Sequence, residues 1–191
     1  MSAEGVLRVV VLNGSPSESS KTAALAQLAV DDVSARYAAV TTWVDVYRCG
    51  PGLTSAITRD DVDEATERAL RDVEQSDLLI VAVPVFRGAY PGMFKHFMDL
   101  VDQYALVRKP VVLLATGGSD RHALAIDHVL RPLFAFFQAY VAPSAVYAGS
   151  AVFDGTLILD PGVHTRVQLA IDDLDGLLAA RGARRREPEA A

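Results

Sequence analysis

Five hydroxyl side chains crowd one short stretch, "NGSPSESSKT" at residues 13–22: Ser15, Ser17, Ser19, Ser20 and Thr22. The stretch lies between an apolar run and a segment with helical spacing. A helix N-terminus presents N–H groups that lack intrahelical partners, and its dipole favours an anion. Hydroxyls added to such a terminus can enclose one phosphate without a metal. A triphosphate loop, G-x-x-x-x-G-K-[ST], is excluded by register: Ser15 and Ser20 stand where its glycines belong, and Gly14 comes one residue early. The neighbouring run "LLIVAVP" ends in Pro84 rather than in an aspartate that would hold magnesium. The dinucleotide fingerprint G-x-G-x-x-G is absent. The same serines could serve only as helix caps. Lys21 either adds charge to an anion site or points to solvent.

Two more loops carry residues suited to a planar ligand. In "PVFRGAYPGMFKH" (84–96), Pro84, Gly88 and Gly92 let the backbone approach a ligand closely. Phe86 and Tyr90 either face that ligand or fill the core. In "ATGGSDRH" (115–122), Gly117 and Gly118 offer consecutive amides to a carbonyl that gains negative charge. His96, His122, His128 and His164 show no H-x-x-x-H spacing, so no metal site is expected. Cys49 is the only cysteine, which excludes an intrachain disulfide and a cysteine metal cage. It reads as an incidental loop thiol.

The elements that must position these loops follow from hydrophobic periodicity. The continuous β-branched run at 6–12 reads as a strand covered on both faces and 77–83 as another buried strand, with further strands at 38–46, 110–116 and 144–149. Helices are expected at 20–36, 61–76, from 91 onward, 121–139 and 163–181. This alternation predicts an α/β fold: a five-stranded parallel sheet in the flavodoxin-like order 2-1-3-4-5, with helices on both faces. Ligands then bind beyond the carboxyl ends of strands 1 and 3, where the strand order reverses. The chain of 191 residues reads as one domain over 1–181 with a flexible tail at 182–191. Arg181, Arg184, Arg185 and Arg186 there read as a solvated end. A net charge of −6 argues against nucleic acid or an anionic membrane as the main partner. The first apolar run is too short for a signal peptide, and nothing approaches the ~20 apolar residues of a membrane span. A cytoplasmic protein is expected. Val129, Leu130, Leu133, Phe134, Phe136 and Phe137 cover more than one face of their helix, which predicts a homodimer or homotetramer built through it.

Taken together, "GSPS…SKT", "PVFRGAYPGMFKHFMDL" and "LLATGGSDRHALAIDHVLRPLF" resemble the NADPH-dependent FMN reductases across residues 8–150. Within that family they are most similar to the flavin reductases of two-component alkanesulfonate and methanesulfonate monooxygenase systems. The resemblance implies a flavodoxin-like fold and hydride transfer from NADPH or NADH to FMN, with a flavin-dependent monooxygenase receiving the product. It implies that Ser15, Ser17, Ser20 and Thr22 hold the FMN phosphate. Pro84, Val85, Phe86, Arg87 and Gly88 would line the isoalloxazine, and Thr116, Gly117, Gly118 and Ser119 would contact its pyrimidine side. No catalytic side chain is required, because the flavin carries the chemistry. Two departures stand out: Phe86 replaces a frequent tyrosine, and Ser17-Glu18 replace a frequent arginine. His128 matches a position that in this branch can carry an inserted aromatic residue at a π-bulge near a subunit interface. Its own surroundings equally read as a polar, partly exposed helix face. Two other functions fit the same residues: a quinone or azo reductase with prosthetic FMN, and a flavodoxin-like electron carrier.

Overall fold

The computed structural model describes residues 5–17, 19–183 and 185. Four long strands form the centre: β1 (Leu7–Asn13), β2 (Ala39–Asp45), β3 (Leu78–Pro84) and β4 (Pro110–Gly117). All pair in parallel, in the order β2-β1-β3-β4. The fifth position is filled by two short pieces on the far edge of β4, β5 (Tyr140–Val141) and β6 (Val146–Gly149). The expected 2-1-3-4-5 order therefore holds, with its last strand interrupted. Pro143 lies in the interruption and has no N–H to give to the ladder.

Alternation along each strand divides the core in two. Val10 and Leu12 of β1, Val81 and Val83 of β3, and Leu113 of β4 pack on one face. They meet α3 (Glu64–Gln75) and α4 (Gly92–Leu100) through Leu70, Val73, Phe94 and Phe97. Val9 and Val11, Ile80 and Ala82, and Val112 and Leu114 face the other way. There they meet α1 (Lys21–Arg36) and α6 (Pro161–Asp172) through Leu25, Ala29, Val33, Val167 and Ile171. Both faces being covered is why the strands read as continuous apolar runs.

Several boundaries differ from expectation. A short helix, α2 (Pro51–Thr54), precedes α3 and was not foreseen. The single helix expected over 121–139 is broken. A 3₁₀ turn at Asp120–His122 leads into a π-helix at Ile126–Leu130, and α5 (Arg131–Phe136) follows. Pro132 gives the physical reason: it has no N–H for the carbonyl one turn back, so the preceding turn widens. The Arg131 amide accordingly reaches back to Ile126 O. The helix expected at 163–181 is also two pieces, α6 and α7 (Asp175–Ala180), broken where the Asp173 carboxylate accepts from the Ser144 N–H at 2.7 Å. A hairpin of β7 (Phe153–Asp154) and β8 (Leu157–Ile158) fills a segment with no expected structure.

Of the C-terminal arginines, Arg184 and Arg186 lie outside the described residues. Arg181 donates to Arg108 O at 2.9 Å, and Arg185 pairs with Asp175 while lying over the Tyr37 ring. Among the described residues, no helix is long and apolar enough to cross a membrane.

Candidate functional site

Strand register brings three loops to one edge. Asn13 of β1 lies opposite Ala82 of β3, and Pro84 of β3 lies opposite Thr116 of β4. The loops after β1, β3 and β4 therefore leave the sheet side by side. Gly14 continues the ladder, donating to Ala82 O at 2.8 Å. Close packing explains the glycine: a Cβ at position 14 would sit 3.0 Å from the Val83 side chain and 3.1 Å from Phe94.

The first loop is ordered by its own hydroxyls. Ser20 caps α1, its Oγ accepting from the Ala23 N–H at 3.1 Å, an arrangement that contributes about 1 kcal/mol. Its own proton goes to Ser15 Oγ at 2.8 Å, and Ser15 Oγ also accepts from the Ser17 N–H. The Ser17 hydroxyl is turned to Ser19 O at 3.0 Å. Capping and anion binding are thus compatible here. After the internal bonds are made, the Ser15 proton is still unused. So are the backbone amides of Ser19, Ser20, Lys21 and Thr22, which have no protein partner among the described residues. Unused donors converging on the N-terminus of a sixteen-residue helix suit an anion. Lys21 is held elsewhere: its Nζ lies 5.3 Å from the Phe153 ring centroid and 3.5 Å from Ser150 O.

Thr22 joins this loop to the third one. Its buried hydroxyl meets that of Thr116 at 2.6 Å, across 94 residues of sequence. Thr116 O in turn accepts from the Val85 N–H at 2.7 Å, so the second loop is tied to the same residue. Phe86 and Ala89 exchange both backbone bonds, closing a two-residue turn with Arg87 at φ 54° and Gly88 at φ 85°. Positive φ at both central residues is the type I′ geometry, which glycine satisfies and arginine adopts under constraint. The turn lifts Phe86 to the rim, where it is 45% exposed. Tyr90 packs instead against Phe94, with ring centroids 5.4 Å apart.

In the third loop, Gly117 is required by Tyr147. A Cβ at position 117 would fall 2.2 Å from the Tyr147 hydroxyl, which donates to Ser119 O at 2.6 Å. Burial, with Asp120 nearby, pushes the Tyr147 phenol up, so it stays a donor. Gly118 faces open space, and its amide has no partner among the described residues. Ser15, Ser17, Ser20, Thr22, Pro84, Val85, Phe86, Arg87, Gly88, Thr116, Gly117, Gly118 and Ser119 all belong to this one edge.

Sequence reasoning missed Asn13, Asp45 and Tyr147. Asn13 donates its amide to Asp45 Oδ1 at 2.6 Å, and its carbonyl accepts from the Ser15 N–H at 3.1 Å. The signal available in the sequence was an amide side chain immediately before Gly14, inside an apolar strand. Cys49 is half-buried, with its thiol pushed up by burial and by Asp63 and Asp45.

The chain matches the family model described as NADPH-dependent FMN reductase over residues 7–153. It is 44% identical to an NADH-dependent FMN reductase, SfnF, of Pseudomonas putida, over 87% of this chain and 90% of that protein. It is 37% identical to an FMN reductase (NADPH) of Pseudomonas aeruginosa, over 91% of this chain and 94% of that protein. An oxidoreductase structure from Corynebacterium diphtheriae superposes with a TM-score of 0.79 at 30% identity, covering 91% of this chain and 98% of that one.

Proposed function

Since the chain belongs to the NADPH-dependent FMN reductase family, we propose that its three-loop edge is where FMN binds and is reduced. The activity is that of an NAD(P)H-dependent FMN oxidoreductase. When bound, FMN supplies the redox chemistry, accepting a hydride from the reduced nicotinamide with no acid, base or nucleophile asked of the protein. The protein's share is binding, orientation and electrostatics.

The unused donors at the α1 N-terminus carry this assignment. Ser15, Ser17, Ser20 and Thr22 would hold the phosphate, the direct donors being the Ser15 hydroxyl and the backbone amides that have no partner among the described residues. Ser17, Ser20 and Thr22 act chiefly by fixing the loop, because their hydroxyls already hold other groups. Pro84, Val85, Phe86, Arg87 and Gly88 form one wall for the isoalloxazine. Thr116, Gly117, Gly118 and Ser119 would form the other, where the Gly118 amide could stabilise negative charge on the ring. Phe86 stands exposed on the rim of the first wall.

The release of reduced FMN to a flavin-dependent monooxygenase fits an edge on which nothing lies within 4 Å of where a Cβ of Gly88, Gly92 or Gly118 would stand. A cytoplasmic location accords with the single cysteine. A homodimer or homotetramer accords with Leu124 and Phe136, which are 63% and 64% exposed on the segment that carries His128. The test is a flavin titration of the purified protein. FMN should bind more tightly than riboflavin, and Gly118→Pro, which removes the free amide, should weaken both. Equal affinity for the two flavins would remove the phosphate assignment.

A further inference from the structure

Asn13 ends β1 and Asp45 ends β2, directly opposite one another in the parallel ladder. Asn13 is 4% exposed, so its amide must find partners inside the protein. A carboxylate only accepts hydrogen bonds. Asp45 therefore fixes which end of the Asn13 amide faces it: the NH₂ group points to Asp45 Oδ1 at 2.6 Å, leaving the carbonyl to accept from the Ser15 N–H at 3.1 Å. Ser15 Oγ then receives the Ser17 N–H and the Ser20 hydroxyl. A chain of directed bonds runs from the end of β2 through Asn13 into the hydroxyl loop. Arg48 Nε, 3.8 Å from Asp45 Oδ2, steadies its outer end.

We propose that Asp45 is a positioning residue for flavin phosphate recognition, acting through Asn13 on Ser15. The inference rests on the reading that the hydroxyl loop holds the FMN phosphate. Without the carboxylate, the buried Asn13 NH₂ is left without its acceptor, and the amide is no longer anchored against the Ser15 N–H. Ser15, which carries the proton that is free for the phosphate, then loses its fixed place. The isoalloxazine walls, built from β3 and β4, share none of these bonds. The consequence is selective: recognition of the phosphate fails while recognition of the ring persists.

The test is a fluorescence titration of FMN and of riboflavin, which lacks the phosphate, against wild type, Asp45→Ala and Asp45→Asn. The wild type should prefer FMN. Asp45→Ala should weaken FMN binding about tenfold, the loss matching one charge-assisted hydrogen bond, and leave riboflavin binding within about twofold. Asp45→Asn keeps an acceptor for the Asn13 amide and should restore FMN binding to within about threefold. Equal weakening of FMN and riboflavin by Asp45→Ala, or no weakening of FMN, overturns the role given to Asp45 while leaving the phosphate site standing. A wild type that does not distinguish the two flavins overturns the phosphate site itself, and the role of Asp45 with it.

Discussion

Thr22 and Thr116 are both almost fully buried, and among the described residues each hydroxyl has the other as its hydrogen-bond partner. Thr22→Val keeps the volume but leaves the Thr116 hydroxyl unpartnered, which costs about 1–3 kcal/mol. The double variant Thr22→Val/Thr116→Val removes both groups and should be more stable than the sum of the two single losses implies. Thermal melting of the four proteins without flavin checks this; strict additivity would mean that the two hydroxyls do not depend on one another. Gly117→Ala drives a methyl into the Tyr147 hydroxyl, so Tyr147 loses its bond to Ser119 O. FMN affinity should fall about tenfold, as for loss of one supporting hydrogen bond. Adding Tyr147→Phe should recover part of the loss, because it removes the nearest colliding atom, and flavin titration reads both effects. At this scale the sequence announced the hydroxyls and glycines, since residue type alone marks them as donors and close-approach points. It did not announce Asp45 or Tyr147, whose partners Asn13 and Ser119 lie 32 and 28 residues away. Only the strand register brings those partners together.

Elements with long, two-sided burial were legible, and elements fixed by one or two residues were not. β1, β3 and β4 are nearly all buried, so their runs could hardly be anything but central strands. The break around Ile126–Leu130 was invisible to periodicity, because the apolar spacing survives while Pro132 changes the hydrogen bonding; the resemblance alone pointed to a π-bulge there, at His128. The β7–β8 hairpin escaped because each strand has two residues. Its one signal was Gly155, which takes φ 58° at the first position of a two-residue turn. The junction of α3 and β4 carries a pH prediction. Lys109, 4% exposed just before β4, donates to Ser76 O at 2.5 Å and to Glu74 O at 3.1 Å. Burial, with Arg181 nearby, lowers it from 10.5 to about 8. Between these values the unfolded chain binds more protons than the folded one, so stability rises with pH from about 8 to about 10.5. Lys109→Met should flatten that rise in urea unfolding. A wild-type and variant difference that does not change across this window would contradict the assignment.

At the scale of the whole molecule, the sheet carries the three-loop edge and the segment that follows β4 leaves apolar groups to cover. Leu124, Phe136 and Tyr140 are exposed along one stretch that also holds the π-helix and His128, whereas Leu130, Phe134 and Phe137 of the same stretch are buried within the chain. The six apolar residues that suggested an interface are thus divided, and Phe136 is the one to change. Phe136→Glu should reduce the mass in light scattering to the 20.5 kDa of one chain, with the wild type at a multiple of it. A wild type already at 20.5 kDa would contradict oligomerisation through this face. The chain belongs to a family of NAD(P)H-dependent FMN reductases, and the three-loop edge is the proposed place of that reduction. The direct test is oxidation of NADH and NADPH by the purified protein, with and without added FMN. Oxidation that rises with FMN, for at least one nicotinamide, is the predicted result; no FMN-dependent oxidation of either would contradict the account.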